Sequence, residues 1–367
     1  MSPTAPTPVA EPAFALTPEI VKDVAASEAT ATIALIDLSP ALAAPADQDP
    51  VSREQAEKQV ADLLVGSFRE TGFAVVTGHQ VPCELLDAMA AVSRAFFALP
   101  LEEKLRVGFP SPEVIRGYEP VPAPDGSDRE INLMESFLIN QPSQVRDMAP
   151  GSAQERLWRW PSIWPDQPVE LQGVFERYYR TMDALGARLL ELVALGLDLP
   201  RDWFADKFDR HFSNLASNHY PPLDDTAEGQ IRNRPHTDHG AMTLLHRPSE
   251  PGGLEVHAQG HWWRVGFEPG SLVLNVGDIL DRWTNGQLPA TPHRVLVPAG
   301  AAARQGRQSI ALFQQPNPDA SVAPAPQLAA AGGRDRVSLE AAGPHISRKE
   351  LGSATVEALL GRRETSR

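Results

Sequence analysis

At 367 residues, 42 % of them hydrophobic and 22 % charged, the chain can bury one large core or two modest ones and has the balance of an ordinary globular protein. A formal net charge of −14 disfavours a broad electrostatic grip on nucleic acid or an anionic membrane, and the single cysteine, Cys83, excludes an internal disulfide framework and a cysteine-based zinc site. No apolar run is long enough to cross a bilayer, so the expectation is a cytoplasmic protein whose partner is a small molecule, with no nucleic acid and no membrane; composition sets no oligomeric state.

Residues 1–32 read as a flexible N-terminal tail, since Met1 to Glu19 is rich in Ala, Pro and Thr and lacks a basic start followed by an apolar stretch. Ile33 to Leu38 is a short apolar strand, and Ala41 to Pro50 is loop-like. Ala56, Val60, Leu63, Leu64 and Phe68 are spaced for an amphipathic helix over 52–70 with Ser52 as its N-cap. A strand over 72–76, a helix over 83–98 and a turn of helix at Pro100 follow, then an irregular Pro-rich stretch over 109–128 and a strand over 131–140 that carries Glu135 and Phe137. The longest helical stripe runs from Pro168 to Leu195, which closes an N-terminal helical/β region at 33–200.

Beyond Phe212 the pattern changes to short apolar segments divided by Gly, Pro and Asn, with strands at 253–257, 261–265, 271–276, 293–297 and 309–313. Strands this closely spaced predict a mainly β fold with flanking helices, a jelly-roll core at 201–320. Residues 321–367 read as an Ala/Gly/Pro-rich linker over 323–334 and a last helix opened by a capping box, Ser347 with Glu350, and running to Leu360. The whole forms one integrated catalytic domain.

His236-Thr237-Asp238 sets a histidine and a carboxylate two residues apart, which on a strand would put both on one face. Two such ligands and one later histidine make the facial triad of non-haem iron(II) oxygenases, which leaves open metal positions. His293 begins a strand, and Arg307-Gln308-Ser309 offers a guanidinium and a hydroxyl on one face, suited to the distal carboxylate of a dicarboxylic keto acid. Upstream, Asn218-His219-Tyr220 supplies an amide and a phenol.

These blocks, with Ile36-Asp37-Leu38, Gly72-Phe73, Arg116-Gly117-Tyr118, Gly253-Leu254-Glu255, Asn275-Val276-Gly277-Asp278 and Thr284-Asn285-Gly286, follow one another in order from Ile33 to Pro318. In this the chain resembles the 2-oxoglutarate/iron(II)-dependent dioxygenases of the isopenicillin N synthase-like superfamily. The resemblance implies a double-stranded β-helix core, with iron(II) on His236, Asp238 and His293. It also implies 2-oxoglutarate on Arg307, Ser309, Tyr220 and Asn218. The reaction it implies is oxidation of a small organic substrate by O2, hydroxylation foremost, with release of succinate and CO2. Some relatives are oxidases or oxidative cyclases that use iron and O2 without 2-oxoglutarate yet keep an Arg-x-Ser pair, so that alternative stands beside it.

Two features depart from the usual pattern. His219 replaces a common tyrosine and is expected to point away from the site, and the link Pro298 to Gly306 reads as an extended hairpin in which Arg304 competes with Arg307 as anchor. Of the ten histidines, His239, His246, His79, His211, His257, His261 and His345 read as packing, loop or surface residues. Arg294 reads as a salt-bridging support and Trp262 and Trp263 as half-buried hairpin residues. Glu135 and Phe137 divide between pocket contact and packing, and Arg116 between a carboxylate contact and a loop anchor. Gly240, Gly253, Gly277 and Gly286 read as turns of positive φ.

Overall fold

A computed structural model describes residues 33–42, 49–121, 132–142, 147–223, 231–249, 252–298, 302–329 and 341–351. In chain order the elements are β1 (Leu35–Asp37), α1 (Ser39–Leu42), α2 (Pro50–Thr71), β2 (Phe73–Thr77), α3 (Cys83–Phe97), α4 (Leu101–Leu105), β3 (Gly117–Glu119) and β4 (Glu135–Asn140). A π-helical turn (Glu155–Arg159) leads to α5 (Leu171–Gly196), α6 (Ala205–Phe208), β5 (Asn214–Tyr220), β6 (Ile231–His236), β7 (Met242–His246), β8 (Leu254–Ala258) and β9 (His261–Arg264). Then come β10 (Leu272–Val276), α7 (Asp278–Trp283), β11 (His293–Leu296), β12 (Arg307–Gln314), α8 (Pro326–Ala329) and α9 (Ala342–Leu351).

Eight strands form one sheet in the order β1-β2-β10-β7-β12-β5-β4-β3, and four form a second, β6-β11-β8-β9. The pleat sorts the side chains of the larger sheet. Phe73, Val75, Val273 and Tyr220 point inward and meet Leu254, Val256 and Val295 of the smaller sheet. Their neighbours Ala74, Val76, Leu272, Leu274, Leu244, Ile310 and Leu312 point outward into the core shared with α2, α3 and α5. Strands buried on both faces read as near-continuous apolar runs: β2 is apolar up to its last residue, Thr77, and β10 is broken only by Asn275. The result is the predicted jelly roll with helices outside. Among the described residues no helix is long and apolar enough to cross a membrane.

Several local expectations are corrected. The helix predicted to start at Ser52 starts at Pro50: proline's fixed φ suits the first helical position, and the Asp49 carboxylate accepts the Ser52 amide at 3.0 Å. Part of the stretch expected as loop after Ala41 is α1, and 43–48 lie outside the described residues. Ser347 does not cap a helix; it sits inside α9, is 2 % exposed, and its Oγ accepts a hydrogen bond from the Trp158 indole Nε1 at 2.9 Å. The continuation of that helix to Leu360, the N-terminal tail 1–32 and most of the 323–334 linker lie outside the described residues. The link from β11 to β12 is no hairpin, because β11 belongs to the smaller sheet and β12 to the larger. Of the four glycines, Gly253 and Gly286 have positive φ, at 92° and 80°. Gly240 and Gly277 do not, and their role is close approach of backbones.

Candidate metal centre and anion pocket

His236 ends β6, His293 begins β11, and the two are register partners in the smaller sheet. Their rings lie 4.2 Å apart, with Phe73 edge-on to His293 at 5.4 Å. Each ring is oriented by a backbone carbonyl: His236 Nδ1 lies 2.7 Å from Arg234 O, and His293 Nδ1 lies 3.3 Å from Thr291 O. A proton on each Nδ1 completes those bonds and leaves each Nε2 lone pair free for a metal.

Asp238 lies beyond β6, so the strand argument that paired it with His236 does not describe its position. A turn brings it round instead. That turn is clamped between the end of β12 and the start of α7: Ala241 N donates to Gln314 O at 2.7 Å, Asp278 N to Asp238 O at 2.8 Å, and Ile279 N to Gly240 O at 2.9 Å. A Cβ on Gly277 would stand 2.3 Å from Gly240 O, and one on Gly240 2.4 Å from Gln314 O, so only glycine permits this approach.

Asp238 Oδ2 accepts hydrogen bonds from Asn275 Nδ2 at 2.7 Å and Thr243 Oγ1 at 2.5 Å. With Oδ2 occupied, Oδ1 stands 3.7 Å from both His236 Nε2 and His293 Nε2. Three ligand atoms thus lie within 4.8 Å of one another, in the only such group among the described residues. Burial alone would raise the carboxyl pKa, but the two imidazoles and the bonds from Asn275 and Thr243 outweigh it and hold Asp238 below the ordinary carboxylate range. Close packing, then the neighbouring His293, pull His236 down to about 4, although a third of its side chain (32 %) reaches solvent. Two imidazoles beside a carboxylate are the donor set a divalent cation takes.

Further along β12, Arg307 pairs with Tyr220 and Ser309 with Asn218 in register, and Tyr220 is one of the inward residues between the sheets, so all four share the inner face. Arg307 is 3 % exposed, stacks over the Tyr220 ring at 4.6 Å, and its Nη1 has no acceptor. Asn218 Oδ1 accepts from Ser136 Oγ at 2.8 Å. Arg304 is exposed. The inner face therefore presents a buried cation beside a hydroxyl, a phenol and an amide.

His219 faces the other way, as expected, and is one corner of a buried ionic cluster. Glu135 Oε1 stands 2.8 Å from His219 Nδ1, while Oε2 accepts from Lys104 Nζ at 2.7 Å and Tyr118 OH at 2.5 Å. Phe137 packs outward against Phe96, Phe175 and Trp164. Phe137 is therefore a packing residue, and Glu135 is the hub of that ionic cluster. Arg116 is a loop anchor, with Nη2 donating to Asn140 Oδ1 at 3.0 Å. His79 Nε2 meets Gly270 O at 2.7 Å, and His239 lies by Asp278 at 3.6 Å rather than in the triad. Arg294 is bonded to Glu255 at 2.9 Å, the support predicted. Sequence reasoning missed Thr243 as a partner of Asp238 and gave Asn275 no role; the one available signal was the placement of Asn275 in an Asn-x-Gly-Asp block beside a helix start.

Comparison with known proteins agrees with this geometry. A family model described as the 2OG-Fe(II) oxygenase superfamily matches residues 211–316, and one described as the non-haem dioxygenase in morphine synthesis N-terminal region matches 33–167. The chain is 33 % identical over 271 residues to proline hydroxylase buaE of Petromyces alliaceus, covering 71 % of this chain and 82 % of that protein. It is 30 % identical over 279 residues to validamycin A dioxygenase of Streptomyces hygroscopicus subsp. limoneus, covering 74 % and 75 %. Full-length T7H of Neurospora crassa, solved in complex with alpha-KG, superposes with a TM-score of 0.75 at 26 % identity, covering 88 % of this chain and 96 % of that one.

Proposed function

The chain belongs to the 2-oxoglutarate- and iron(II)-dependent dioxygenases, and from that membership we propose that His236, Asp238 and His293 hold the iron, that Arg307, Ser309, Tyr220 and Asn218 hold 2-oxoglutarate, and that the reaction hydroxylates a small organic molecule with release of succinate and CO2. The observation that carries the reading is the convergence of Asp238 Oδ1 on two free Nε2 atoms, with an unpaired buried guanidinium on the inner face of the adjoining sheet.

Bound iron and 2-oxoglutarate supply the activation of O2 that no side chain here can perform. The chain's own residues do the rest. Asp238 cancels one positive charge at the centre, and Asn275 and Thr243 keep it presenting a single oxygen, which leaves room for exchangeable ligands. His236 and His293, each fixed by a backbone carbonyl at Nδ1, hold their Nε2 atoms toward the centre. Arg307 neutralises the distal carboxylate of the keto acid, and Ser309 adds a neutral bond to it. Phe73, Val75, Val256, Val273 and Val295 keep water from the inner walls. Relatives are named for proline and validamycin A, and T7H has been solved with thymine, a spread that supports a small molecule as substrate and no narrower class.

The test is a substrate screen that reads succinate alongside the mass of the product. Succinate formed in step with a product that gains one oxygen atom is the expected result; substrate oxidation without succinate would instead assign an oxidase that dispenses with 2-oxoglutarate. His236→Ala, Asp238→Ala and His293→Ala should each abolish iron binding and turnover. Arg307→Gln should keep iron and weaken 2-oxoglutarate by roughly thirty-fold to a few thousand-fold, since truncating one partner of a buried charge pair costs about 2–5 kcal/mol.

A further inference from the structure

A second buried arginine stands beside Arg307. Arg232, on β6, is 0 % exposed. Its Nη2 reaches three backbone carbonyls at long range, Pro221 at 3.3 Å, Ala303 at 3.2 Å and Gln305 at 3.4 Å, while Nε and Nη1 meet no acceptor. Those tethers fix its position. Pro221 follows Tyr220, the register partner of Arg307, and Gln305 lies two residues before Arg307. The two cations are close enough that, after burial, Arg307 is the next influence pulling the Arg232 pKa down.

Neither guanidinium meets a carboxylate among the described residues. The most deeply buried arginine outside this pair is neutralised: Arg294, 1 % exposed, has Glu255 at 2.9 Å and lies over the Trp262 ring at 4.0 Å. Two adjacent buried cations without an anion are strongly unfavourable, and the pairing that removes the penalty is one anion shared by both. A carboxylate has two oxygens and about four acceptor sites, enough for two guanidinium groups at once.

We propose that Arg232 is a second cationic partner of the distal carboxylate of 2-oxoglutarate, so that a cradle of two arginines holds that end of the co-substrate. The proposal rests on the reading of Arg307 given above and extends it. In this cradle Arg232 contributes to the preference for a five-carbon dicarboxylic keto acid over shorter keto acids, which leave both cations unpaired.

The test is calorimetric titration of the iron-loaded protein without oxygen, using 2-oxoglutarate and then 2-oxobutyrate, which keeps the metal-binding end but lacks the distal carboxylate. Arg232→Gln should weaken 2-oxoglutarate by about tenfold or more, the loss expected for a hydrogen bond to a charged group, and change 2-oxobutyrate less than about twofold. Arg232→Lys, which keeps the charge, should fall between parent and Arg232→Gln, and it carries the test alone if the glutamine variant does not fold. Equal losses for both keto acids would mean that Arg232 only pins the backbone at Ala303 and Gln305, and the proposal falls. Unchanged 2-oxoglutarate binding in Arg232→Gln, with a large loss in Arg307→Gln, overturns the role of Arg232 alone. Unchanged binding in Arg307→Gln overturns the Arg307 assignment, and the paired cradle with it.

Discussion

Asn275→Leu isolates how Asp238 is aimed. Leucine has the branched shape of asparagine and is slightly larger, so no water replaces the lost amide. The Asp238 carboxylate then keeps one of its two bonds at Oδ2, the 2.5 Å contact from Thr243, and is free to rotate toward presenting both oxygens. A hydrogen bond to a charged group contributes about 1.5–3 kcal/mol. Loss of a partner that orients a metal ligand costs about 10–100-fold in metal affinity, which is about 1.4–2.7 kcal/mol. The two estimates agree, so iron(II) affinity should fall by about one to two orders of magnitude while the fold persists. Anaerobic calorimetric titration with iron(II) measures it directly. Thr243→Val should act on the same oxygen, and the double variant should cost less than the sum of the singles because each single already frees the carboxylate. Affinity within about twofold of parent in Asn275→Leu would refute the argument that Oδ2 must be occupied for Oδ1 to serve as a ligand.

Two further expectations concern stability. Burial raises the Glu135 pKa, but bonds from His219, Lys104 and Tyr118 outweigh it and hold the group at about 2. A depressed carboxylate stabilises the fold fully above its unfolded pKa of about 4.3 and loses that contribution as pH falls toward its folded value. Denaturation at pH 6 and pH 3 should show Glu135→Gln weaker at pH 6 yet losing about 2 kcal/mol less than the parent across the interval; parallel losses would show that Glu135 titrates normally. Gly277→Ala places a Cβ 2.3 Å from Gly240 O, which forces the Asp238 turn outward. Melting temperature and iron affinity should fall together, and a loss of melting temperature alone would detach that turn from the metal site.

The long elements and the site residues were legible because their signals are local. The α5 stripe, the alternation of β8 and β9 and the ordered motif blocks depend only on spacing along the chain. What escaped depends on the third dimension. Asp238 was expected on a strand because His-x-Asp spacing suits one, but the clamp from Gln314 and Ile279 turns it off the strand instead. Gly277 looked like a turn glycine because the sequence does not reveal that Gly240 O lies against it. Thr243 acquires its role from standing beside Asn275 across β7 and β10, a pairing of strands separated by two others in the chain. Nothing in the neighbours of Arg232 along the chain marks it as a fully buried cation. Ser347 and Glu350 matched a capping pattern, yet the docking of Trp158 on Ser347 shows the helix already under way.

The strand order of the larger sheet also bears on how the protein is made. β12, the last strand of that sheet to leave the ribosome, lies in its interior between β7 and β5. Until Gln314 has emerged, β7 and β5 each expose an unpaired edge, and the Asp238 turn lacks the Gln314 carbonyl that tethers Ala241. The nascent chain therefore carries its proposed metal ligands, on the smaller sheet and the Asp238 turn, beside an unfinished larger sheet with two open edges able to pair with other chains. Long-range closure of this kind is slow. Slower synthesis at low temperature should accordingly raise the yield of soluble enzyme, and truncation before Gln314 should give aggregated chain that retains no iron.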